Sequence, residues 1–174
     1  MSRTTAEDHD HPEIASLGVG IITVSSSRSA ADDEGGNAIA AILEEHGHTV
    51  ETRNLVRDER ETIQESVREL VEREAIDCVI TTGGTGVTRD DVTIEALVPL
   101  FEKELPGFGE LFRHLSYEEV GTRIVATRAV GGISKGVPIF CLPGSTNAVS
   151  LATREIIVEE TPHLAGLATR HDFE

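Results

Sequence analysis

The sequence has few aromatic residues: no tryptophan, one tyrosine and five phenylalanines among 174 residues. Hydrophobic residues nevertheless make up 39% of the chain, which is enough for one sizeable core. That core must be aliphatic, built from valine, isoleucine, leucine and alanine. The length fits a single domain, which we assign to residues 16–174. Residues 1–15 are polar and acidic, and we expect them to form a disordered extension.

Cysteines and long apolar runs are also scarce. Cys78 and Cys141 are the only cysteines. Both lie in apolar, strand-like segments, which indicates buried residues and gives no sign of a disulfide framework or a thiol nucleophile. No apolar run reaches the roughly 20 residues that span a bilayer, and the N-terminal residues lack the apolar stretch of a secretory signal. We therefore expect a cytoplasmic protein without a membrane partner.

Lysine is almost missing. Lys103 and Lys135 are the only lysines, and 15 basic residues face 31 acidic ones, for a net charge of −16. Such a charge repels nucleic acid unless a basic cluster overrides it, and the sequence shows none. An acidic surface poor in lysine indicates a salt-adapted, halophilic protein, because concentrated salt screens the repulsion. An ordinary acidic cytosolic protein is the alternative.

Strand-like and helix-like patterns alternate along the chain. Strands are predicted at Val19–Val24, "TVETRNLV", "DCVITT", near "RIVATRAV" and at Val137–Leu142. Helical spacing follows most of them, for example at Ile39, Ile42 and Leu43. This alternation predicts a three-layer α/β/α sandwich with a mostly parallel central sheet.

Polar loops follow four of the predicted strands: "SSSRSAADDEGG", "RDER", "TTGGTGVTRDD" and "PGSTNA". The carboxyl ends of parallel strands lie along one edge of a sheet, where α/β proteins bind ligands. We therefore expect all four loops to contribute to one site. The first loop offers the hydroxyls of Ser25 and Ser26 and the guanidinium of Arg28, although ordinary loop composition is the alternative.

The third of these loops contains Gly83, Gly84, Thr85 and Gly86. It does not match the P-loop pattern, because no lysine follows the glycines, and it does not match the dinucleotide fingerprint. Glycines still permit close backbone approach, and exposed N–H groups could bind an anion. A turn without a ligand is the alternative.

Aspartates stand near these loops. Asp90 and Asp91 follow the glycines, and Asp58 follows the second strand. Carboxylates beside a phosphate require a cation between them, and Mg²⁺ typically joins one or two carboxylates to substrate phosphates. The alternative is helix capping, by Asp91 or Thr93 for one helix and by Asp58 for another.

The remaining polar candidates are weaker. Gly144 and Ser145 form a tight turn before a helix, where N–H groups and the helix dipole favour an anion, although a plain serine cap is the alternative. Lys135 precedes the last strand, and it could neutralise a phosphate or be a solvated surface lysine. His9 and His11 could bind a metal or belong to a solvated tail. The patterns of zinc proteases and serine hydrolases are missing.

Four stretches together resemble the MogA/MoaB family of molybdenum cofactor biosynthesis proteins, over about residues 18–160. They are "TTGGTGVTRDDVTIEAL", "LPGFGELFRHLSYEEVG", "TRAVGGISK" and "LPGSTNA". The "PGFGE" and "PGSTNA" segments are more similar to the MoaB branch. The resemblance implies a molybdopterin-binding α/β fold that assembles as a trimer or hexamer. Other molybdenum cofactor biosynthesis proteins are further expected partners.

Active members of that family transfer AMP from ATP to the molybdopterin phosphate, with Mg²⁺, and release pyrophosphate. The resemblance implies that Asp58 and Asp91 are the catalytic and metal-binding residues. It also implies that Gly83–Gly86 and Gly144–Ser145 bind the pterin end of the substrate. A non-catalytic molybdopterin-binding or scaffold protein of the same pathway is the alternative.

Two positions depart from the family's pattern. Many members have S-D-R where this chain has Ser26, Ser27 and Arg28, and many have D-x-S-G where it reads "DEGG", with Gly35 in place of the serine. Both departures bear on the ATP contacts more than on the pterin contacts. Asp90 has no assigned role.

Overall fold

The computed structural model describes residues 13–168. The strands are β1 (Gly18–Val24), β2 (Thr49–Val56), β3 (Cys78–Thr82), β4 (Lys103–Glu104), β5 (Val130–Ser134) and β6 (Val137–Leu142). The helices are α1 (Glu34–Glu45), α2 (Arg60–Val71), α3 (Thr93–Leu97), α4 (Pro106–Val120), α5 (Thr146–Ala152) and α6 (Val158–Ala168). Three 3₁₀ turns lie at Ala30–Asp32, Val98–Leu100 and Gly121–Ala126, and a π-helical turn at Thr153–Ile157 joins α5 to α6.

These strands form one sheet in the order β2-β1-β3-β6-β5-β4. Strand β1 pairs in parallel with β2 and β3, and β3 pairs in parallel with β6. Strand β5 runs antiparallel to both β6 and β4. The predicted three-layer sandwich with a mostly parallel sheet is confirmed.

Both faces of the sheet are covered by helices. Ile21 of β1 packs in a core with α1, α4, α5 and α6, whereas its neighbour Ile22 packs in a second core with α2 and α3. The same alternation places Ile80 of β3 in the first core and Val79 in the second. A strand buried on both faces needs apolar residues at every position, which accounts for the continuous apolar runs in the sequence.

The strand predicted near "RIVATRAV" is wrong. Residues Gly121–Ala126 form a 3₁₀ turn, and the strand lies further along, at Val130–Ser134. Two glycines of that strand are covered by aromatic rings: a β-carbon at Gly132 would lie 2.3 Å from the Phe101 ring. The apolar pattern of the sequence does not reveal this strand, because its glycines carry no side chain. Its apolar surface comes from the aromatic rings that pack on those glycines.

The two cysteines are free and buried, as predicted. Burial raises the pKa of the Cys141 thiol to about 12 and also raises that of Cys78. Within residues 13–168, no helix combines the length and the apolar character needed to cross a membrane. His9, His11 and most of the predicted extension lie outside the described residues. The part that is described, from Glu13, approaches the domain, because the Ile14 N–H donates to the Pro162 carbonyl at 3.2 Å.

Candidate functional site

One cleft of about 800 Å³ lies at the carboxyl edge of the sheet. It is lined by the loops that follow β1, β2, β3 and β6. The sheet order places β2 and β3 on opposite sides of β1, so the cleft lies where chain connections diverge and where open α/β sheets bind ligands. Predicted residues that line it are Ser25, Ser26, Arg28, Asp58, Gly83, Gly84, Thr85, Gly86, Asp90, Asp91 and Gly144.

Asp58 is held by the loop after β1. Its Oδ2 accepts a hydrogen bond from the Ser26 hydroxyl at 2.7 Å, and its backbone N–H donates to the same hydroxyl oxygen at 3.2 Å. The capping alternative is not supported, because helix α2 takes Glu59 as its N-terminal flanking residue and has no side-chain cap. Ser26 therefore fixes the Asp58 carboxylate at the cleft wall.

Asp91 is held by Thr88 instead of capping a helix. Its Oδ2 accepts from the Thr88 hydroxyl at 2.7 Å and from the Thr88 N–H at 3.0 Å. These bonds, an N–H of Gly86 and the charge of Arg128 hold the pKa of Asp91 below its usual value, although partial burial opposes them. Helix α3 follows Val92 without any side-chain cap. The carboxylate is therefore ionised and available in the cleft.

The glycine loop needs glycine for steric reasons. Gly83 and Gly84 have φ values of 95° and 68°, in the left-handed region that disfavours other residues. A β-carbon at Gly83 would lie 2.3 Å from the Val24 carbonyl oxygen. The Gly83 N–H donates to the Leu142 carbonyl at 3.0 Å, and the Thr93 hydroxyl donates to the Gly83 carbonyl at 2.8 Å. The loop is thus a fixed structure tied to β6 and α3.

The last predicted loop divides between two cavities. Gly144 lines the main cleft, whereas Ser145 lines a neighbouring cavity of about 490 Å³ that shares Thr127 and Pro143 with it. Ser145 caps α5, because its hydroxyl oxygen accepts from the Ala148 N–H at 3.2 Å.

Lys135 is not brought to the cleft. It occupies the tight turn between β5 and β6 with a φ of 49°, and its Nζ forms an ion pair with Glu72 at 2.5 Å. The cleft loop leaves β6 at its other end, after Leu142, so β6 separates the two by about 20 Å at the usual rise per residue. Its placement corrects the expectation that this lysine could neutralise a phosphate in the same site.

The first departure, Ser27, lies in the cleft lining. The second lies beside it: a β-carbon at Gly35 would meet Thr82 Oγ1 at 3.7 Å and the Gly144 carbonyl at 3.8 Å, which are ordinary contacts. The preceding Asp33 is structural. Its carboxylate accepts from the Gly36 N–H, from Thr23 and from Arg53.

Arg128 is an important residue that the sequence patterns did not single out. Its Nε donates to the Thr85 carbonyl at 3.0 Å and its Nη2 to the Gly86 carbonyl at 2.7 Å, while Nη1 binds Glu95 at 2.5 Å. No local signal indicated this role, since Arg128 is 42 residues from Gly86. Thr88 could have been found, because Thr-x-x-Asp is the spacing of a reciprocal capping pair.

The cleft suits an anionic ligand accompanied by a cation. Among residues 13–168, no group of three or more histidine, cysteine or acidic side chains is arranged to hold a metal ion by itself. Asp58 and Asp91 each use Oδ2 for the Ser26 and Thr88 hydroxyls and retain Oδ1 as a further acceptor. Two carboxylates beside a glycine loop fit Mg²⁺, which prefers oxygen ligands and usually completes its shell with water and substrate phosphates.

Known proteins are similar to this chain in sequence and in fold. The family described as "Probable molybdopterin binding domain" matches residues 20–163. Molybdenum cofactor biosynthesis protein B of Staphylococcus epidermidis is 44% identical over 163 residues, covering 90% of this chain and 93% of that protein.

Solved structures agree. A crystal structure of molybdenum cofactor biosynthesis protein B has a TM-score of 0.86 at 39% identity, covering 91% of this chain and 98% of the other. The tungsten cofactor synthesizing protein MoaB from Pyrococcus furiosus has a TM-score of 0.79 at 42% identity, covering 88% and 97%. The chain therefore belongs to the family defined by the probable molybdopterin-binding domain.

Proposed function

We propose that this protein is a molybdopterin adenylyltransferase of molybdenum cofactor biosynthesis. The observation that carries the proposal is the state of Asp58 and Asp91. Neither caps a helix, each is fixed by one hydroxyl, and both line one cleft with the glycine loop. Family membership and the similarity to proteins named for molybdenum or tungsten cofactor synthesis support the substrate class.

In the proposed reaction, an oxygen of the molybdopterin phosphate attacks the α-phosphorus of ATP. A new phosphoanhydride bond forms, the bond between the α-phosphorus and its bridging oxygen breaks, and pyrophosphate leaves with the electron pair. Mg²⁺, when bound, would offset negative charge on the transferred group and on the pyrophosphate. No protein nucleophile is required, because positioning and electrostatics carry most phosphoryl-transfer catalysis.

The protein's own residues would orient the two substrates. The glycine loop and the Gly144 turn would bind the pterin phosphate through backbone N–H groups other than that of Gly83, which donates to Leu142, since glycine permits close approach of an anion. Asp58 and Asp91 would hold the cation. Arg28 and the Ser25 hydroxyl would contact the ATP phosphates at the end of β1, while the Ser26 hydroxyl holds Asp58 in place.

The test is formation of adenylyl-molybdopterin and release of pyrophosphate by purified protein given molybdopterin, ATP and Mg²⁺. We expect Asp91→Asn to lower kcat by at least about a hundredfold, the usual scale for a lost electrostatic contact in a transition state. Asp32→Asn is the matched control, because Asp32 is exposed and binds Ser29 outside the cleft. Equal activity of the wild type and Asp91→Asn would refute the catalytic assignment.

A non-catalytic molybdopterin-binding protein is the second candidate, and Ser27 and Gly35 favour it. It predicts molybdopterin binding without release of pyrophosphate. The double variant Ser27→Asp, Gly35→Ser would then restore the pattern of many relatives, and gain of activity in that variant alone would support this candidate over the first.

We also propose that the chain forms a homo-oligomer, a trimer or a hexamer. Large apolar side chains are exposed on α4 and the 3₁₀ turn after it: Leu111, Tyr117, Val120 and Val125, the last with 89% of its surface exposed. Tyr117 and Val120 are three residues apart and therefore share one face of α4, and exposed apolar groups that lie together are typical of interaction surfaces. Light scattering coupled to size-exclusion chromatography would measure the mass, and a monomer at micromolar concentration would refute this proposal.

A further inference from the structure

We propose that Arg128 is a positioning residue, which sets the direction of the backbone N–H groups in the glycine loop. The inference rests on the proposed function only for the choice of a phosphate group as the ligand of this loop. Arg128 lies two residues before β5. It borders a separate cavity of about 270 Å³ with Ile94, Phe101 and Val130, whereas Asp91 lines the main cleft. The guanidinium thus approaches the loop from the side of the small cavity.

The contacts fix two successive peptide units. The Thr85 and Gly86 carbonyls accept from Nε and Nη2 of the same guanidinium. A trans peptide is planar, with its N–H pointing opposite to its C=O, and the described residues contain no cis peptide. The N–H groups of Gly86 and Val87 must therefore point away from Arg128.

The position of Asp91 is a second observation. A β-carbon at Gly86 would lie 2.5 Å from Asp91 Oδ2, so the carboxylate lies against the backbone of the loop. Asp91 lines the main cleft, whereas Arg128 borders the small cavity. By anchoring the carbonyls, Arg128 keeps the N–H groups of Gly86 and Val87 turned away from the small cavity, where they are available to an anion.

The planar fork is essential to this role. One guanidinium binds both carbonyls and also Glu95 of α3, so three groups fix its orientation. Lysine carries the same charge as a single, freely rotating ammonium, and it cannot reproduce that planar set of donors. Glu95 is the second part of the arrangement, because its carboxylate holds the end of the fork that does not touch the loop.

The test uses the full-length protein and two measurements. Hydrogen exchange, followed by mass spectrometry, reports on peptides that cover residues 83–91, and calorimetry measures the affinity for inorganic phosphate, which represents the molybdopterin phosphate proposed to bind this loop. We expect Arg128→Met and Arg128→Lys to accelerate exchange in those peptides and to weaken phosphate binding by about tenfold, the scale of one charge-assisted hydrogen bond. Glu95→Gln should act in the same direction with a smaller effect.

Arg113→Met is the matched control. Arg113 borders the same small cavity and donates to the carbonyl of Ala129, the neighbour of Arg128, but the hydrogen bond described for it does not involve the loop. It should leave loop exchange and ligand affinity unchanged.

Wild-type exchange and affinity in Arg128→Lys would overturn the inference, because charge alone would then suffice. Faster exchange with unchanged affinity would overturn it as well. If Arg128→Met does not fold, Arg128→Lys and Glu95→Gln decide the outcome by the same criteria. Absence of AMP transfer in the wild type would refute the proposed function and leave these binding results intact.

Discussion

Replacing Asp33 with alanine should destabilise the fold next to the cleft. Asp33 is 5% exposed and precedes α1. Its Oδ1 accepts from the Gly36 N–H at 3.0 Å, and its Oδ2 accepts from the Thr23 hydroxyl at 2.8 Å and from Arg53 at 2.9 Å. One carboxylate therefore joins the end of β1, the start of α1 and the middle of β2.

The size of the effect can be worked out contact by contact. Loss of the helix cap costs about 1 kcal/mol. The Thr23 hydroxyl, in a residue that is 2% exposed, would lose its partner in the interior, at about 1–2 kcal/mol. The Arg53 side chain is 35% exposed, so its ion pair adds less than about 1 kcal/mol. The total is about 3 kcal/mol, or a fall in Tm of about 9 °C for a chain of this size.

Urea denaturation at fixed protein concentration measures the change in the free energy of unfolding, and calorimetry measures Tm. Asp32→Ala is the control, since Asp32 is an exposed neighbour that binds Ser29, and we expect it to change stability by less than about 0.5 kcal/mol. A loss for Asp33→Ala below about 1 kcal/mol, or equal to that of the control, would refute the assignment of three simultaneous contacts.

The pH dependence gives a second check on Asp33. Burial acts to raise its pKa, but the hydrogen bonds from Gly36, Thr23 and Arg53 outweigh it, so the pKa lies below the ordinary value of 3.8. The unfolded chain therefore takes up the proton first as the pH falls. The stabilisation is complete above about pH 4 and is lost as the pH falls through the folded-state pKa. The stability gap between wild type and Asp33→Asn should narrow over that range.

Four further outcomes are expected. Gly86→Ala should strongly reduce Mg²⁺-dependent activity with little change in Tm, because the new methyl group would lie 2.5 Å from Asp91 Oδ2 and would displace that carboxylate. A large fall in Tm together with the loss of activity would contradict this. Gly35→Ser should fold normally, since its β-carbon meets only ordinary contacts, and circular dichroism melting checks it. Tm should rise from dilute buffer to about molar KCl as salt screens the net charge of −16, and an unchanged Tm would argue against salt adaptation. Cys78 and Cys141 should resist thiol reagents until the protein unfolds, because both are buried.

The apolar pattern was sufficient to predict most of the sheet. Continuous apolar runs at β1, β3 and β6 reflect burial on both faces, and a local pattern can register that. The glycine-containing β5 could not be found in this way, because aromatic rings from distant segments supply its apolar surface. The expected strand was therefore placed several residues too early.

Most of the cleft was also predictable, because its loops follow strands that the apolar pattern identifies. Loops that follow parallel strands converge at one edge of the sheet, so the sequence alone was sufficient to group Asp58, Gly83–Gly86 and Gly144. Lys135 was misplaced because β6 is preceded by an antiparallel partner, β5, and the lysine occupies the hairpin at the far end. The role of Arg128 could not be predicted, because it binds backbone carbonyls, which every residue carries whatever its side chain.

Strand β1 lies between β2 and β3, whose loops carry Asp58 and Asp91. Two strand spacings, about 10 Å, therefore separate the strands from which the aspartate loops emerge. That separation is set by the hydrogen bonds of the sheet, so mutations in the loops can reorient either carboxylate but cannot change the distance between the two strands. The width of the cleft between the aspartate loops is therefore fixed by the one strand, β1, that lies between β2 and β3.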